Sequence, residues 1–251
     1  MEERYSRNRI YVSNDEMVKI KNTKILLGGA GIGSIIAECA LRFGFESITV
    51  VDGDHVELSN LNRQNYMMED IGTNKAKALV KRLSAINPQA TLRAIDTFID
   101  KNNVNQIASG YDIAINALDF KDESPFLFDD ICSEQGIPVL HPYNFGWAGF
   151  VTVVTPQGSK LRTISSEPCG FEIKMAEHVC QQETLRDVKL DWLCDILKRY
   201  KEEGTLLPPP QLAIASWITA GICVNIMYLI ATRKAYKAFP EFYLSAADLC
   251  T

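Results

Sequence analysis

The sequence predicts an α/β fold: a mostly parallel, doubly wound sheet with helices on both faces. A partly helical insertion precedes a C-terminal helix and strand. Three observations predict it. Residues 24–52 read as a strand, a glycine-rich turn, a helix and a second strand that ends on an aspartate, a Rossmann-like opening unit. Strand-like and helix-like stretches then alternate to about residue 140, as βαβ units of a parallel sheet do. Of the 251 residues, 47% are hydrophobic, enough for one large α/β domain or a domain with a substantial insertion. We take 1–251 as one domain.

Each element has a local cause. Lys24 to Leu27 is a short apolar strand, and Gly28 to Gly33 is too glycine-rich for anything but tight backbone geometry. Ser34 to Phe43 carries small and apolar residues on one helical face, and Ser47 to Val51 is a buried strand. A helix begins near Thr73 and ends before Pro88. "TLRAIDTFI" (91–99) follows as a strand, "VNQIAS" as a short helix and "YDIAINALD" (111–119) as a buried strand. "SPFLFDDICSEQGI" is a helix stopped by Gly136; "PVLHPYNF" then leads into the strand "GFVTVVTP", with His141 beside Pro142 in a loop. From about 159 to 210 the chain is polar, cysteine-bearing and helical in part, a long connection that reads as an insertion or lid. A core helix at 212–231 and a last strand, "EFYLSA", return it to the sheet.

Composition narrows the function. Net charge is −5 with no basic run, so a DNA groove is not expected. The N-terminus is charged and lacks the apolar core of a secretion signal. Seven cysteines form no CxxC pair, which predicts a reducing cytoplasm rather than a disulfide framework. Leu212 to Ala231 is 20 residues without a charge, long enough to span a bilayer. Ser216, Thr219, Gly221 and Asn225 within it, and the lack of a second such segment, favour a buried helix and no membrane.

In an open α/β sheet, ligands sit beyond the carboxyl ends of the strands. Asp52, Asp54 and Asp119 fall at or just past such ends, and Asn60, Arg63 and Gln64 follow the second strand closely enough to reach the same crevice. Lys75 lies in the first turn of the next helix, where the dipole already favours an anion. Gly28, Gly31 and Gly33 turn backbone N–H groups toward a phosphate. The glycine spacing is imperfect: Ala30 or Ser34 stands where a dinucleotide fingerprint has glycine, and the Ala30 methyl predicts weakened nucleotide affinity. A ribose acceptor, an arginine, a lysine and a spare carboxylate together suit a nucleoside triphosphate with Mg²⁺ better than a hydride carrier. Singly, each residue has an ordinary structural role open to it: a surface charge, an Asx turn, a cap.

Five segments resemble one family. "RYSRN" (4–8), "GGAGIGS" (28–34), "DGDHVELSNLNRQ" (52–64), "DIGTNK" (70–75) and "NALD" (116–119) are similar to the ThiF/MoeB/HesA proteins, bacterial relatives of ubiquitin-activating enzymes. The similarity runs in order over roughly the first 155 residues and resumes in the helix at 212–231. It implies a homodimeric domain that binds ATP and Mg²⁺ and adenylates the C-terminal carboxylate of a ubiquitin-like sulfur-carrier protein or small peptide. It implies that Asp52 holds the ribose, that Asn60, Arg63 and Lys75 hold the phosphates, and that Asp119 is the metal ligand. Arg7 would reach into the site of the other subunit.

The chain departs from the family in its cysteines. A structural zinc in two CxxC pairs is not expected, since "EPCG" at Cys169 resembles only half of one. Where some members carry an acyl-accepting cysteine, this chain has "TLLPPPQ"; Cys180 and Cys194 lie in the insertion. Adenylation is therefore the expected chemistry, more than thioester transfer. Three other readings stay open: activation of a carboxylate on a modified tRNA base, an NAD-dependent oxidoreductase, and a non-catalytic nucleotide-binding module.

Overall fold

The computed structural model describes residues 2–185, 190–204 and 207–247. Parts of the expected insertion (186–189, 205–206) and Cys250 lie outside the described residues. The sheet strands are β1 (Lys24–Gly28), β2 (Ser47–Val51), β3 (Thr91–Ile95), β4 (Ile113–Asn116), β5 (Val139–Asn144), β6 (Ala148–Val154) and β7 (Phe242–Ala246). They lie in the order β3-β2-β1-β4-β5-β6-β7. Pairings from β3 to β5 are parallel, and β6 is antiparallel to both of its neighbours. The fold is α/β and Rossmann-like, as expected. The chain leaves β1 for β2 and β3 on one side, then crosses to β4 on the other. Strand order therefore reverses between β1 and β4, the point where such sheets open a crevice.

Each face of the sheet carries its own core, because β1, β2 and β4 bury nearly every residue and alternate side chains go to opposite faces. On one face Ile25, Leu27, Ile48 and Val50 meet Ile35 and Ile36 of α2 (Gly33–Phe43), Leu79 and Leu83 of α3 (Lys75–Ile86), and Val224 and Met227 of α8 (Ala213–Ala231). On the other, Leu26, Val51, Ala114 and Val139 meet Val104 of α4 (Val104–Ile107), Phe126 and Phe128 of α5 (Ser124–Glu134), Phe171 and Met175 of α6 (Phe171–Leu185), and Leu193 of α7 (Asp191–Glu202).

Three local expectations need correction, and one helix was not expected. A helix, α1 (Asn14–Asn22), precedes β1; its signal was present, since Ser13 and Glu16 form a reciprocal capping box and Met17 and Ile20 are buried three residues apart. Strand β3 stops at Ile95 rather than running to 99, because Asp96 turns to accept from Asn74 Nδ2 at 2.8 Å and from Lys77 Nζ at 2.7 Å. His141 is not in a loop: it lies on β5, fully buried, with Nε2 2.9 Å from Asp129 Oδ1. Helix α8 lies against α2 and β6 but buries only eight of its 19 residues. It is long and apolar enough to cross a membrane by length and composition, yet one face packs on the sheet while Ile214 and Trp217 stay exposed.

Candidate functional site

The turn after β1 sits at the carboxyl end of the sheet, where strand order reverses. Gly29 has φ +90°, and a Cβ there would lie 2.2 Å from Ala117 O, so the turn nests against the loop after β4 only with glycine at this position. At Gly33 a Cβ would come within 2.9 Å of Leu27 Cδ1, so glycine lets α2 start close to β1. Gly28 ends β1 and accepts from Ala117 N at 2.8 Å. Gly31 lies beside the Gln64 amide. No side chain caps α2. Among the described residues, the N–H groups of Gly31, Ile32 and Gly33 have no protein acceptor. Three successive unpaired N–H groups at a helix start form a nest for an anion.

Asp52, at the end of β2, holds this turn. Its Oδ2 accepts from Ala30 N at 2.6 Å and its Oδ1 from Asp54 N at 2.7 Å. Burial pushes the Asp52 carboxyl up, while those two backbone bonds and the charge of Lys75 pull it down. Ala30 is fully buried in the core and its N–H is committed to Asp52, so its methyl is spent on packing rather than projected at a bound anion. Asn74 caps α3 by accepting from Lys77 N, and its amide donates to Asp52 O and Asp54 O. Lys75 opens α3 with its side chain 11% exposed and Nζ 3.2 Å from Asp54 Oδ2. Tyr66 OH donates to the Ala30 carbonyl at 2.8 Å and lies 3.3 Å from that of Lys75.

The 58–66 segment folds back over the start of α2. Asn60 Oδ1 accepts from Glu57 N, and Asn65 N donates to Ser34 Oγ. The Gln64 side-chain oxygen is buried without a partner among the described residues, an arrangement that asks for a donor from a ligand or water. Arg63 is half-buried; burial lowers its guanidinium and the Asp119 carboxylate opposes that shift, which places Asp119 close enough to act on it. Asp119 lies three residues past β4 and is exposed, with Oδ2 2.8 Å from Lys121 Nζ. Behind it, Glu172 at the start of α6 accepts from Phe120 N at 3.1 Å. Burial raises the Glu172 carboxyl.

Of the sequence-derived candidates, Gly28, Gly31, Gly33, Asp52, Asp54, Asn60, Arg63, Gln64, Lys75 and Asp119 all fall on one rim. Arg7 does not. It lies in a short 3-10 helix whose neighbours Tyr5 and Asn8 bond to Glu46 Oε1 and Phe43 O, at the far end of α2 and the amino ends of the strands. Eleven residues of α2 put it roughly 16 Å from the glycine turn of its own chain. Sequence reasoning missed Gly29, Asn74, Lys121, Glu172 and Gln211. The first two had local signals, a central glycine and a helix cap, and Lys121 lies two residues past Asp119; Glu172 and Gln211 are brought in by tertiary folding alone.

The pattern of the ThiF family matches residues 5–247. The chain belongs to the ThiF family. It is 30% identical over 169 residues to the SAMP-activating enzyme E1 of Haloferax volcanii, covering 66% of this chain and 62% of that protein. Over 96 residues it is 38% identical to the tRNA threonylcarbamoyladenosine dehydratase of Escherichia coli, covering 38% of this chain and 36% of the other. It is 30% identical over 159 residues to the sulfur carrier protein ThiS adenylyltransferase of Bacillus subtilis, covering 61% and 47%. The chain thus spans less than two thirds of the length of these relatives. Among solved structures, Escherichia coli MccB with ATP superposes on all of this chain and 73% of its own with a TM-score of 0.71, at 17% identity, which establishes likeness of fold.

Proposed function

We propose that this ThiF-family chain is an ATP- and Mg²⁺-dependent adenylyltransferase acting on a carboxylate, R–COO⁻ + ATP → R–CO–AMP + pyrophosphate. The single observation that carries this is the convergence on one rim of an N–H nest, an aspartate locked to it, two cationic side chains and an exposed carboxylate. A hydride carrier asks for the first two only. The acyl donor we infer is the C-terminus of a ubiquitin-like sulfur-carrier protein or a small peptide. The names of the relatives from Haloferax and Bacillus support that class.

The donor set suits the reactants. The Gln64 side-chain oxygen, buried without a partner among the described residues, is an acceptor of the kind a nucleotide hydroxyl or a bridging water satisfies. Mg²⁺ in such sites is held by one or two carboxylates plus phosphates and water, which Asp119 fits. No three His, Cys, Asp or Glu side chains gather as a metal site among the described residues. Bound Mg²⁺ would neutralise phosphate charge. The protein's own part is positioning and electrostatics. Asp52 takes the ribose, and Asn60, Arg63 and Lys75 take the phosphates. The carboxylate oxygen attacks the α-phosphorus, and the bond to the bridging oxygen breaks with its electron pair leaving on pyrophosphate. No general base is needed because the nucleophile is already an anion.

We further propose a cytoplasmic homodimer in which Arg7 serves the neighbouring subunit's site. Its distance from its own rim supports this, as do the exposed Ile10 and Tyr11 beside it and the outward Ile214 and Trp217 of α8. The Escherichia coli dehydratase keeps a second acyl donor in view, a carboxylate on a modified tRNA base. Thermal unfolding tests the nucleotide directly. Mg·ATP raises Tm and NAD does not, since a ligand of the native state stabilises by mass action. A shift with NAD and none with ATP overturns the assignment. Retention of tRNA on a filter by this protein selects the second donor.

A further inference from the structure

The loop after β2 and the segment leading into α8 meet at one hydrogen bond. Arg63 Nε donates to Gln211 Oε1 at 2.6 Å, across 148 residues of sequence. Arg63 Nη1 donates to Ser59 O at 3.0 Å and to Asn62 Oδ1 at 2.8 Å. Among the described residues Nη2 has no protein acceptor. A guanidinium is planar with donors in a rigid fork, so fixing Nε and one terminal nitrogen fixes where the other points.

Gln211 is itself held in place. The next residue, Leu212, donates its N–H to Asn144 Oδ1 at 3.4 Å and accepts from Asn144 Nδ2 at 2.8 Å. Upstream, Tyr200 OH of α7 donates to Leu207 O at 2.8 Å. Between these anchors run Pro208, Pro209 and Pro210, whose rings set φ and stiffen the segment. Arg63 follows β2 and Asn144 ends β5. Those strands are three strand spacings apart, about 14 Å. Gln211 and Leu212, at the end of the strap, touch one residue that follows β2 and one that ends β5, so this end of the strap lies at the carboxyl side of the sheet.

We propose that Gln211 is a positioning residue: it holds Arg63 with Nη2 presented to the β- and γ-phosphates of ATP. It thereby ties the Leu207–Gln211 strap to the departure of pyrophosphate. The proposal rests on the adenylation reading above. Without the Gln211 carbonyl, a half-buried Nε–H loses its acceptor and the guanidinium turns to find another, taking Nη2 with it.

Calorimetric binding of Mg·ATP and of AMP tests this, without the acyl substrate, on wild type, Gln211→Met, Arg63→Ala and the double variant. Met keeps the length of the side chain and removes the acceptor. Gln211→Met should weaken Mg·ATP about tenfold, the scale of one hydrogen bond to a charged group. It should leave AMP within about twofold, because AMP lacks the phosphates Arg63 serves. Arg63→Ala should weaken Mg·ATP at least as much, and the double variant should match Arg63→Ala, since one residue acts through the other. Gln211→Ala, with Tm measured alongside, repeats the comparison should Met pack poorly. Wild-type Mg·ATP binding in both Gln211 variants, with Arg63→Ala impaired, overturns the positioning role and leaves the adenylation reading standing. Equal weakening of ATP and AMP, or a further loss in the double variant, overturns it as well. An Arg63→Ala protein with unchanged Mg·ATP binding overturns the parent assignment of Arg63 and this inference together.

Discussion

The two walls of the crevice are built differently. The wall after β1 and β2 is buried and interlocked: both oxygens of Asp52 are committed to backbone N–H groups, Asn74 bridges three segments, and Lys75 is nearly enclosed. The wall after β4 is open: Asp119 and Lys121 are exposed and paired with each other, and beyond them lies the strap of exposed Leu207 to Pro210. An interlocked wall fixes one geometry before the ligand arrives, as preorganised electrostatics require. An open wall carries charge that can change partners when phosphate and metal enter. The contrast predicts that the first wall supplies nucleotide geometry and the second responds to the acyl substrate and to product.

The largest effects should come from charge aimed at the phosphates on either wall. Lys75→Ala and Asp119→Ala should each cut substrate-dependent ATP–pyrophosphate exchange by about 10²-fold or more, the usual loss for one such group. They should differ in stability. Lys75→Ala removes a nearly enclosed ammonium and leaves Asp54 unpaired, whereas Asp119 is solvated, so its loss should barely move Tm. Equal Tm changes would break the comparison. Near-normal exchange in both variants would remove the phosphate assignment.

The next effect joins one subunit's rim to another's. If Arg7 acts in trans, Arg7→Ala and Lys75→Ala homodimers are both nearly inactive. Subunit exchange between them then restores one intact site per heterodimer. Random reassortment makes half of the dimers mixed, so activity should recover to about a quarter of wild type. Proven exchange without recovery would return Arg7 to its own chain or remove it from catalysis.

How much of this was legible in the sequence follows the same division. The interlocked wall is local in sequence: the glycine turn, Asp52, the loop to Gln64 and Lys75 all lie within residues 28–75, so motif and spacing reach them. Even there the cap at Asn74 and the strict need for Gly29 went unread, because each depends on what the backbone approaches. The open wall draws residues from 116–121, 172 and 207–212, which no local pattern connects. Gln211 looks like a linker residue until its hydrogen bond to Arg63 is seen, and Glu172 like a surface helix start until Phe120 is placed against it. His141 was misplaced for a related reason. A proline beside it suggested a loop, yet Pro142 keeps its register opposite Val151 in this strand, and His141 is held there through Nε2 by Asp129, which Asn116 also holds.

Acid should expose the rigidity of the interlocked side. Glu38 of α2 is buried, which pushes its carboxyl up. Hydrogen bonds from Arg82 and Arg42, the charge of Arg82 and a bond from Asn65 outweigh this, so its pKa falls below 4.5. A carboxyl whose folded pKa is lower than its unfolded one stabilises the fold above the unfolded value, and that stability is lost as pH falls through the folded value. Wild type should therefore lose Tm steeply below about pH 4.5, and Glu38→Gln should show a flatter acid limb. At neutral pH the variant should be less stable by about 2 kcal/mol, the scale of hydrogen bonds to a charged group. Parallel acid limbs in the two proteins would show that the network does not carry the pH dependence.

The smallest effect belongs to the three cysteines of the insertion, Cys169, Cys180 and Cys194. Cys180 of α6 is half-buried, and that burial, together with a hydrogen bond it donates to Cys194 of α7, pushes its thiol up to about 12. The thiolate is the nucleophile, so at neutral pH almost none of Cys180 is in the form that would take an acyl group. Cys169 is exposed on the turn that precedes α6. Adenylation needs no thiol, and thioester transfer does. Replacing Cys169, Cys180 and Cys194 with serine should leave ATP–pyrophosphate exchange within about threefold of wild type, as for residues outside the reacting centre. The protein should also purify without stoichiometric zinc and keep its Tm in chelator once Mg²⁺ is restored. A covalent adduct with the acyl substrate that is cleaved by thiols, and that disappears in one of the three variants, would overturn this expectation. It would make the insertion a second catalytic centre fed by the acyl-adenylate, with acyl transfer from AMP to sulfur as its chemistry.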